Sequence, residues 1–355
     1  MDAFEQLPEQ AEAKRLLRAA LADGPAHAYL FHGPPGVGKR AAASAFAAEL
    51  IGDSERVLRG SHPDVYGLEP VGDQIRIDEI RALRHDLHMR PFEADRRVYL
   101  VLGADLLNRD AADALLKDLE EPPPYAVMVL VADDLGPLPP TILSRCQLIP
   151  FRRLSERAVR EAVAERASRL EPEEQVALAR VAAGRLDRLE RLLDPAASQR
   201  RAALLELARA VYADPQFEPA AAAKRLLEGV SERGAQAKED AERENEARGF
   251  EGREADQRAR RLQRGAERDE VLASLEELAA WYRDLIAVGV GAEQAAIHVD
   301  RLRELTQDAT EARLVGAERA CEAVRATWRS FEEFNIGSAL ALEALFVELR
   351  RELAA

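Results

Sequence analysis

The sequence predicts an α/β domain with a parallel sheet and helices on both faces, followed by a small three-helix lid and an all-α C-terminal domain. Short apolar runs alternate with amphipathic stretches up to about residue 150, as in successive strand–helix units. Beyond Phe151 the strand patterns stop, and Ala, Leu, Arg and Glu dominate, which favours helices.

The composition limits the classes of function. The 355 residues carry a net charge of −14, so the chain is a poor candidate for holding DNA alone, because phosphate contacts need clustered cations. No apolar run of about 18 residues is present, so we expect no membrane span. The N-terminus lacks the apolar core of a signal peptide, so we expect a cytoplasmic protein. Cys146 and Cys321 are too few for a zinc site or a disulfide framework.

Three strands are predicted in the N-terminal domain. Residues 28–31, 98–102 and 126–131 are apolar runs bounded by polar residues or turn formers. A helix is predicted at 41–50, after the first strand. Strands separated by helical patterns favour a parallel sheet.

Residues 33–40 match the phosphate-binding pattern G-x-x-x-x-G-K-[ST] except at the last position. Backbone N–H groups of such a loop cradle phosphate oxygens, and the lysine reaches the β- and γ-phosphates. The residues of this candidate cradle are Gly33, Pro34, Pro35, Gly36, Val37, Gly38 and Lys39. Arg40 replaces the Ser or Thr whose hydroxyl holds Mg²⁺. Binding of ATP or ADP is left open by this pattern.

A P-loop ATPase also needs acidic residues at the end of a strand, to hold Mg²⁺ and to polarise water. Leu102 and Gly103 occupy those positions after the candidate strand at 98–102. Asp105 comes three residues late, and we expect it to cap the helix that begins near Asn108. Two independent defects at one Mg²⁺ predict a chain that holds no metal and does not hydrolyse ATP.

Arg145 lies in the run Thr-Ile-Leu-Ser-Arg-Cys at 141–146. An arginine on such a turn can stabilise charge on a neighbouring subunit's γ-phosphate, with an effect of about 10³–10⁵ in rate. For Arg145 taken alone, a surface salt bridge is the preferred interpretation. For Cys146 taken alone, we expect a small buried residue.

The C-terminal part is predicted to be helical. Ser155 is a candidate N-cap, and helices at 172–183 and 185–193 complete the lid. One face of a long helix is apolar at Val271, Leu275, Leu278, Tyr282 and Leu285. Residues 231–270 are highly charged, so we expect a solvated, partly helical excursion there, with a charged docking arm as the alternative.

Four stretches together carry a resemblance to one family. They are 27–39 (HAYLFHGPPGVGK), 62–64 (HPD), 108–123 (NRDAADALLKDLEEPP) and 140–147 (PTILSRCQ). The chain resembles the clamp-loader subunits of bacterial DNA polymerase III, of the AAA+ class, and the delta-prime subunits in particular. The resemblance covers about residues 4–190 well and is weaker beyond them.

The resemblance implies a P-loop AAA+ domain at 1–152, a helical lid at 153–197 and an all-α collar domain for oligomerisation at 198–355. It also implies site residues. Arg145, flanked by Ser144 and Cys146, would be an arginine finger that acts in trans on the ATP of an adjacent motor subunit. Arg188 would be the second sensor of the lid, and Ala132 stands near the first sensor position.

One departure concerns zinc. Clamp-loader motors and many delta-prime subunits carry a four-cysteine zinc module between the helix of the glycine loop and the His-Pro-Asp motif. This chain has only residues 51–61 there, with no cysteine, so we expect no zinc and no required cofactor.

The leading interpretation is a non-catalytic scaffold of the clamp loader. Its partners would be the motor (gamma/tau) subunits and the delta subunit, and it would act on the sliding clamp and primed DNA through the complex. The first alternative is an ATP-hydrolysing motor subunit of the same loader. A third interpretation is a regulatory AAA+ protein that binds ATP as a switch.

Overall fold

A computed structural model of the chain describes residues 3–5, 7–247, 252–333 and 337–353. The chain forms two compact units. The first comprises Met1–Ala162 with Gly184–Asp187, and the second comprises Val163–Ala183 with Arg188–Ala355. The three-domain division at 152 and 197 remains a prediction from the sequence.

The first unit contains a five-stranded parallel sheet. Its strands are β1 (Ala28–His32), β2 (Val65–Leu68), β3 (Arg97–Leu102), β4 (Ala126–Ala132) and β5 (Gln147–Pro150), in the spatial order β2-β3-β4-β1-β5. The three predicted strands are confirmed as β1, β3 and β4. The edge strands β2 and β5 were missed because each has only four residues, and neither is a continuous buried apolar run.

Helices cover both faces of this sheet, as predicted. They are α1 (Ala11–Asp23), α2 (Lys39–Ile51), α3 (Ser54–Leu58), α4 (Ile77–Leu87), α5 (Arg109–Glu120) and α6 (Pro140–Leu143). Successive strand residues point to opposite faces. Phe31 packs with Phe46 of α2 in one core, whereas Leu30 joins Leu83 of α4 and Leu115 of α5 in the other.

Helix α7 (Glu156–Arg166) begins in the first unit and ends in the second. Ser155 is its N-cap, because the Ser155 hydroxyl accepts a hydrogen bond of 3.2 Å from the backbone N–H of Ala158. The helices predicted at 172–183 and 185–193 are confirmed as α8 (Pro172–Val181) and α9 (Leu186–Leu193).

The longer elements of the second unit are all α-helices. They are α10 (Pro195–Ala213), α11 (Pro219–Ala247), α12 (Arg253–Gly289), α13 (Leu302–Asp308), α14 (Glu311–Glu333) and α15 (Ser338–Leu353). The apolar face predicted for residues 271–285 lies in the buried core of this unit, around Trp281 and Phe346. Within the described ranges, no helix has both the length and the apolar character that a membrane span needs.

The charged segment 231–270 is helical wherever it is described, apart from the turn residue Gly252. Its two halves are the end of α11 and the start of α12, and residues 248–251, including Phe250, lie outside the described residues. Small residues are buried in both halves, for example Ala241 in α11 and Ala259 in α12, and Leu262 of α12 is half-buried. The predicted helical character is therefore confirmed for the described part.

Candidate functional site

The phosphate-binding loop connects β1 to α2, as its pattern predicts. Gly33 has φ +137°, and a Cβ atom there would lie 2.2 Å from the carbonyl oxygen of Phe151. Gly36 has φ +70°, and its Cβ would lie 1.7 Å from Oδ1 of Asp187. At Gly33 both the conformation and the backbone carbonyl of Phe151 exclude a side chain. At Gly36 the positive φ favours glycine, and any larger residue would also have to displace the Asp187 side chain.

Lys39 is directed onto the loop itself and is only 4% exposed. Its Nζ donates to the carbonyl oxygens of Gly33 and Pro34, at 2.5 Å each, and lies 2.6 Å from Oδ1 of Asp133. An ammonium group has three donors, and these three contacts use them. A phosphate group entering the cradle would have to displace these contacts. Burial and the positive charge of Lys39 lower the pKa of the neighbouring His32.

A short segment of the predicted lid contacts the loop within the first unit. The backbone N–H of Leu186 donates to the carbonyl oxygen of Gly36 at 2.7 Å. The carboxylate of Asp187 lies beside Gly36 and pairs with Arg185 at 2.7 Å. Neither Asp187 nor Asp133 was identified from the sequence. Asp133 follows a buried central strand directly, which is a signal that could have found it.

The structure describes the two positions at which the sequence lacks the expected Mg²⁺ ligands, Arg40 and Leu102-Gly103. The Arg40 side chain is 59% exposed, and its Nη1 lies 3.4 Å from Oε2 of Glu69. Leu102 is buried at the end of β3, and Gly103 turns the chain with φ +81°. Neither position offers a side-chain oxygen to a metal ion.

The expectation that Asp105 caps α5 is wrong. Asn108 is the N-cap, since its side chain accepts a hydrogen bond of 2.9 Å from the backbone N–H of Ala111. A short 3-10 helix, Ala104–Leu106, separates the strand from α5, and the Asp105 carboxylate accepts instead from the N–H of Asp133 at 3.2 Å. Burial, and then the charge of Asp133, raise the pKa of Asp105.

Among the described residues, no group of three or more His, Cys, Asp and Glu side chains is arranged to hold a metal ion. The absence of zinc stays a prediction from the sequence. Helix α3 lies within the short segment 51–61. Cys146 and Cys321 are free thiols, and burial raises the pKa of Cys146 to about 12 and that of Cys321 to about 11.

Arg145 lies at the surface on the turn that follows α6. Its Nη1 donates to the carbonyl oxygen of Thr141 at 2.9 Å and to the Ser144 hydroxyl at 3.2 Å. Its Nη2 donates to Oε1 of Glu120 at 2.5 Å. Glu120 was not identified from the sequence, although it lies in the run at 108–123. Cys146 is partly buried, consistent with the simple interpretation of its thiol.

Arg188 belongs to the second unit, where its guanidinium donates to Glu277. Glu277 also accepts from Arg201, and its Oε1 lies 3.1 Å from Nε2 of His298. Glu277 is therefore the shared anion of a largely buried ionic network. The sensor role of Arg188 remains a prediction. Ala132 ends β4 and is buried, and its role near the first sensor position likewise remains a prediction.

The His-Pro-Asp motif at 62–64 has a structural role. The buried Asp64 carboxylate accepts hydrogen bonds from the backbone N–H groups of Phe92, Glu93 and Ala94, at 2.6, 2.8 and 2.9 Å. Burial alone would raise the pKa of Asp64, but these three bonds favour the charged carboxylate and lower it. The motif thus fixes the loop that leads into β3.

The N-terminal part of the chain is similar to known proteins. A family model described as "DNA polymerase III, delta subunit" matches residues 9–155. Bacillus subtilis DNA polymerase III subunit delta' is 33% identical over 164 residues, which cover 43% of this chain and 50% of the relative.

Two further relatives are also named as subunits of DNA polymerase III. The delta' subunit of Pseudomonas aeruginosa is 39% identical over 136 residues, covering 34% of this chain and 42% of the relative. The tau subunit of Bacillus subtilis is 32% identical over 170 residues, covering 44% and 30%. The chain thus spans half or less of the length of these curated relatives.

The matched region contains the sheet, the glycine loop and the Ser-Arg-Cys turn described above. The N-terminal region of the chain, over the residues 9–155 that the family model matches, is thus similar to subunits of DNA polymerase III, the delta' subunits among them.

Proposed function

We propose that the chain is a non-catalytic clamp-loader subunit that lends Arg145 to the ATP site of a neighbouring motor subunit. Its partners in this proposal are the gamma/tau motor subunits and the delta subunit, and the site of action is the cytoplasm. It acts on the sliding clamp and on primed DNA through the complex. It requires no cofactor and no zinc.

The observation that carries the proposal is the position of the Arg40 side chain. An exposed guanidinium, bound to Glu69, stands where a motor subunit needs a hydroxyl on Mg²⁺. The contacts of Lys39 with Asp133, Gly33 and Pro34 add support, because a phosphate would compete with them. At the same time, the guanidinium of Arg145 is retained at the surface, where another subunit can reach it.

The first experiment measures phosphate release by the isolated chain with ATP and Mg²⁺. We expect turnover no higher than that of a Lys39→Ala variant, because the Mg²⁺ ligands are missing. Turnover clearly above this control would exclude a non-catalytic subunit.

The second experiment reconstitutes the complex with the delta subunit and with motor subunits of which only the neighbour of this chain can hydrolyse ATP, and it measures the ATPase rate. Arg145→Ala should lower the rate by about 100-fold or more, as loss of an arginine finger does. Arg81→Ala is the matched control, since Arg81 is an exposed arginine of the same unit, bound to Asp78. Equal effects of the two variants, or loss of assembly with Arg145→Ala alone, would contradict the finger role.

The second candidate is an ATP-hydrolysing motor subunit of the same loader. The match to a tau subunit and the retained Lys39 favour it. The isolated-chain experiment separates the two candidates, because a motor requires Mg²⁺-dependent turnover that Lys39→Ala abolishes.

A further inference from the structure

Four arginines form one line along the first turns of α12, which we name the arginine stripe: Arg253, Arg260, Arg264 and Arg268. A helix turns by about 100° per residue, so these positions fall within about 80° of its circumference and extend over about 22 Å. Arg253, Arg260 and Arg264 are exposed, and Arg268 is partly exposed. The stripe is thus a continuous cationic line at the surface of the second unit.

The stripe faces away from α11. The opposite side of α12 carries Ala259, which is fully buried, and Leu262, which is half-buried. Helices α11 and α12 are packed against each other. The arginine stripe is therefore not part of the helix–helix packing, and it does not contribute to the core of the unit.

The end of α11 and the start of α12, called here the α11 arm (231–247) and the α12 arm (253–268), carry net charges of opposite sign. Residues 253–268 of α12 carry six arginines and three carboxylates, a net charge of +3, whereas residues 231–247 of α11 carry three basic and six acidic residues, a net charge of −3. The α12 arm is thus a local cationic surface on a chain with an overall charge of −14.

Within the described ranges the stripe forms no ion pair, although the charge of Arg268 acts on the carboxylate of the adjacent Asp269. Arg258, on the flank of α12, is bound by Glu244 at 3.0 Å and by Asn245 at 2.9 Å. In the part of the chain that the structure describes, no carboxylate lies within 4.0 Å of a stripe guanidinium. The cationic groups of the stripe are therefore available to an anionic partner.

The chemistry of the stripe selects phosphate. Guanidinium groups bind phosphate oxygens through two parallel hydrogen bonds. Protein interfaces have an apolar or aromatic centre, and single-strand binding uses aromatic stacking. The described residues of the α12 arm present neither feature. A duplex carries about one charge per 1.7 Å of its axis, so a length of about 22 Å carries about a dozen phosphates on all its sides, enough to offer a partner to each of the four arginines.

We propose that the arginine stripe binds the phosphate backbone of duplex DNA directly. This goes beyond the proposed function, in which DNA is reached only through the complex. The contact needs neither Arg145 nor a motor subunit. Its failure would therefore leave the proposed function untouched.

The test measures binding of the full chain to a labelled duplex of about 30 base pairs by fluorescence anisotropy, over about 25–200 mM salt. The stripe variant combines Arg253→Gln, Arg260→Gln and Arg264→Gln. The matched control combines Arg233→Gln, Lys238→Gln and Arg243→Gln, which removes the same charge from α11. Circular dichroism must show unchanged helix content for both.

We expect the stripe variant to bind at least about tenfold more weakly at about 50 mM salt, and the control to change less than about twofold. The slope of log affinity against log salt should fall by about 3, because about 0.9 counterion is released per phosphate contact. No binding of the unaltered chain at about 25 mM salt would overturn the proposal. Equal losses in both variants, or stripe-dependent binding of single-stranded DNA or polyglutamate in preference to the duplex, would also overturn it.

Discussion

Nη2 of Arg145 donates to Oε1 of Glu120 at 2.5 Å, so the candidate finger is held by the last residue of α5. The Arg145 side chain is 31% exposed and that of Glu120 is 50% exposed. An ion pair at such a surface contributes at most about 1 kcal/mol, because water screens it and both side chains lose freedom. A neighbouring subunit can therefore recruit Arg145 at little cost.

Glu120→Gln should change the ATPase rate of the reconstituted complex by less than about fivefold, since about 1 kcal/mol corresponds to that factor. Arg145→Ala should lower the same rate by about 100-fold or more. Steady-state phosphate release from the two complexes checks this ranking. A loss with Glu120→Gln as large as that with Arg145→Ala would show that Glu120 is needed to position the finger.

Gly33→Ala should destabilise the first unit by about 3 kcal/mol. The new Cβ would lie 2.2 Å from the carbonyl oxygen of Phe151, and φ +137° is a strained conformation for alanine. Gly24→Ala is the control, because Gly24 has φ +92° but a Cβ added there would meet no atom within 4 Å. Thermal unfolding followed by circular dichroism should show the larger loss for Gly33→Ala, and similar losses would refute the steric argument.

The second unit should lose stability as the pH rises above neutrality. Burial alone lowers the pKa of His298, but the carboxylates of Asp284 and Glu277, 2.8 and 3.1 Å from its ring nitrogens, outweigh burial and raise it. A raised pKa stabilises the folded state fully below the unfolded value of about 6.5, and this contribution is lost as the pH rises through the folded value.

This pH dependence is measurable by urea unfolding at about pH 6 and pH 8, with tryptophan fluorescence as the probe. Both tryptophans, Trp281 and Trp328, lie in the second unit. His298→Gln should reduce the difference in stability between the two pH values, because it removes the titrating group. An unchanged difference in the variant would assign the pH dependence to other groups.

Arg40→Ser should not create an ATPase. The serine supplies the missing hydroxyl, but Leu102 and Gly103 still offer no carboxylate to Mg²⁺ or water. Phosphate release by this variant should stay within about twofold of the Lys39→Ala control. Robust Mg²⁺-dependent turnover would mean that Asp105 or Asp133 replaces the missing carboxylates.

The sequence was informative where structure follows from local pattern. Strands β1, β3 and β4 are continuous apolar runs in the middle of the sheet, and the glycine loop has a defined spacing. Strands β2 and β5 were not predictable in this way, because an edge strand of four residues needs no such run.

The site was predictable only in part, since its contacts depend on tertiary proximity. Lys39 is identified by its motif, whereas its partner Asp133 lies just after β4, nearly a hundred residues later in the chain. The prediction that Asp105 caps α5 is wrong because a 3-10 helix, Ala104–Leu106, lies between β3 and α5. The sequence gives no signal for this short helix. Glu120 could have been proposed as a partner for Arg145 only with the fold known.

The chain leaves its first compact unit after Ala162 and returns to it at Gly184–Asp187. In this returning segment, the backbone N–H of Leu186 donates a hydrogen bond to the carbonyl oxygen of Gly36 in the glycine loop. No single peptide bond therefore separates the two units. A protease that cuts once between Ala162 and Gly184 would release an N-terminal fragment without this returning segment, and the glycine loop of that fragment would lose its hydrogen bond from Leu186.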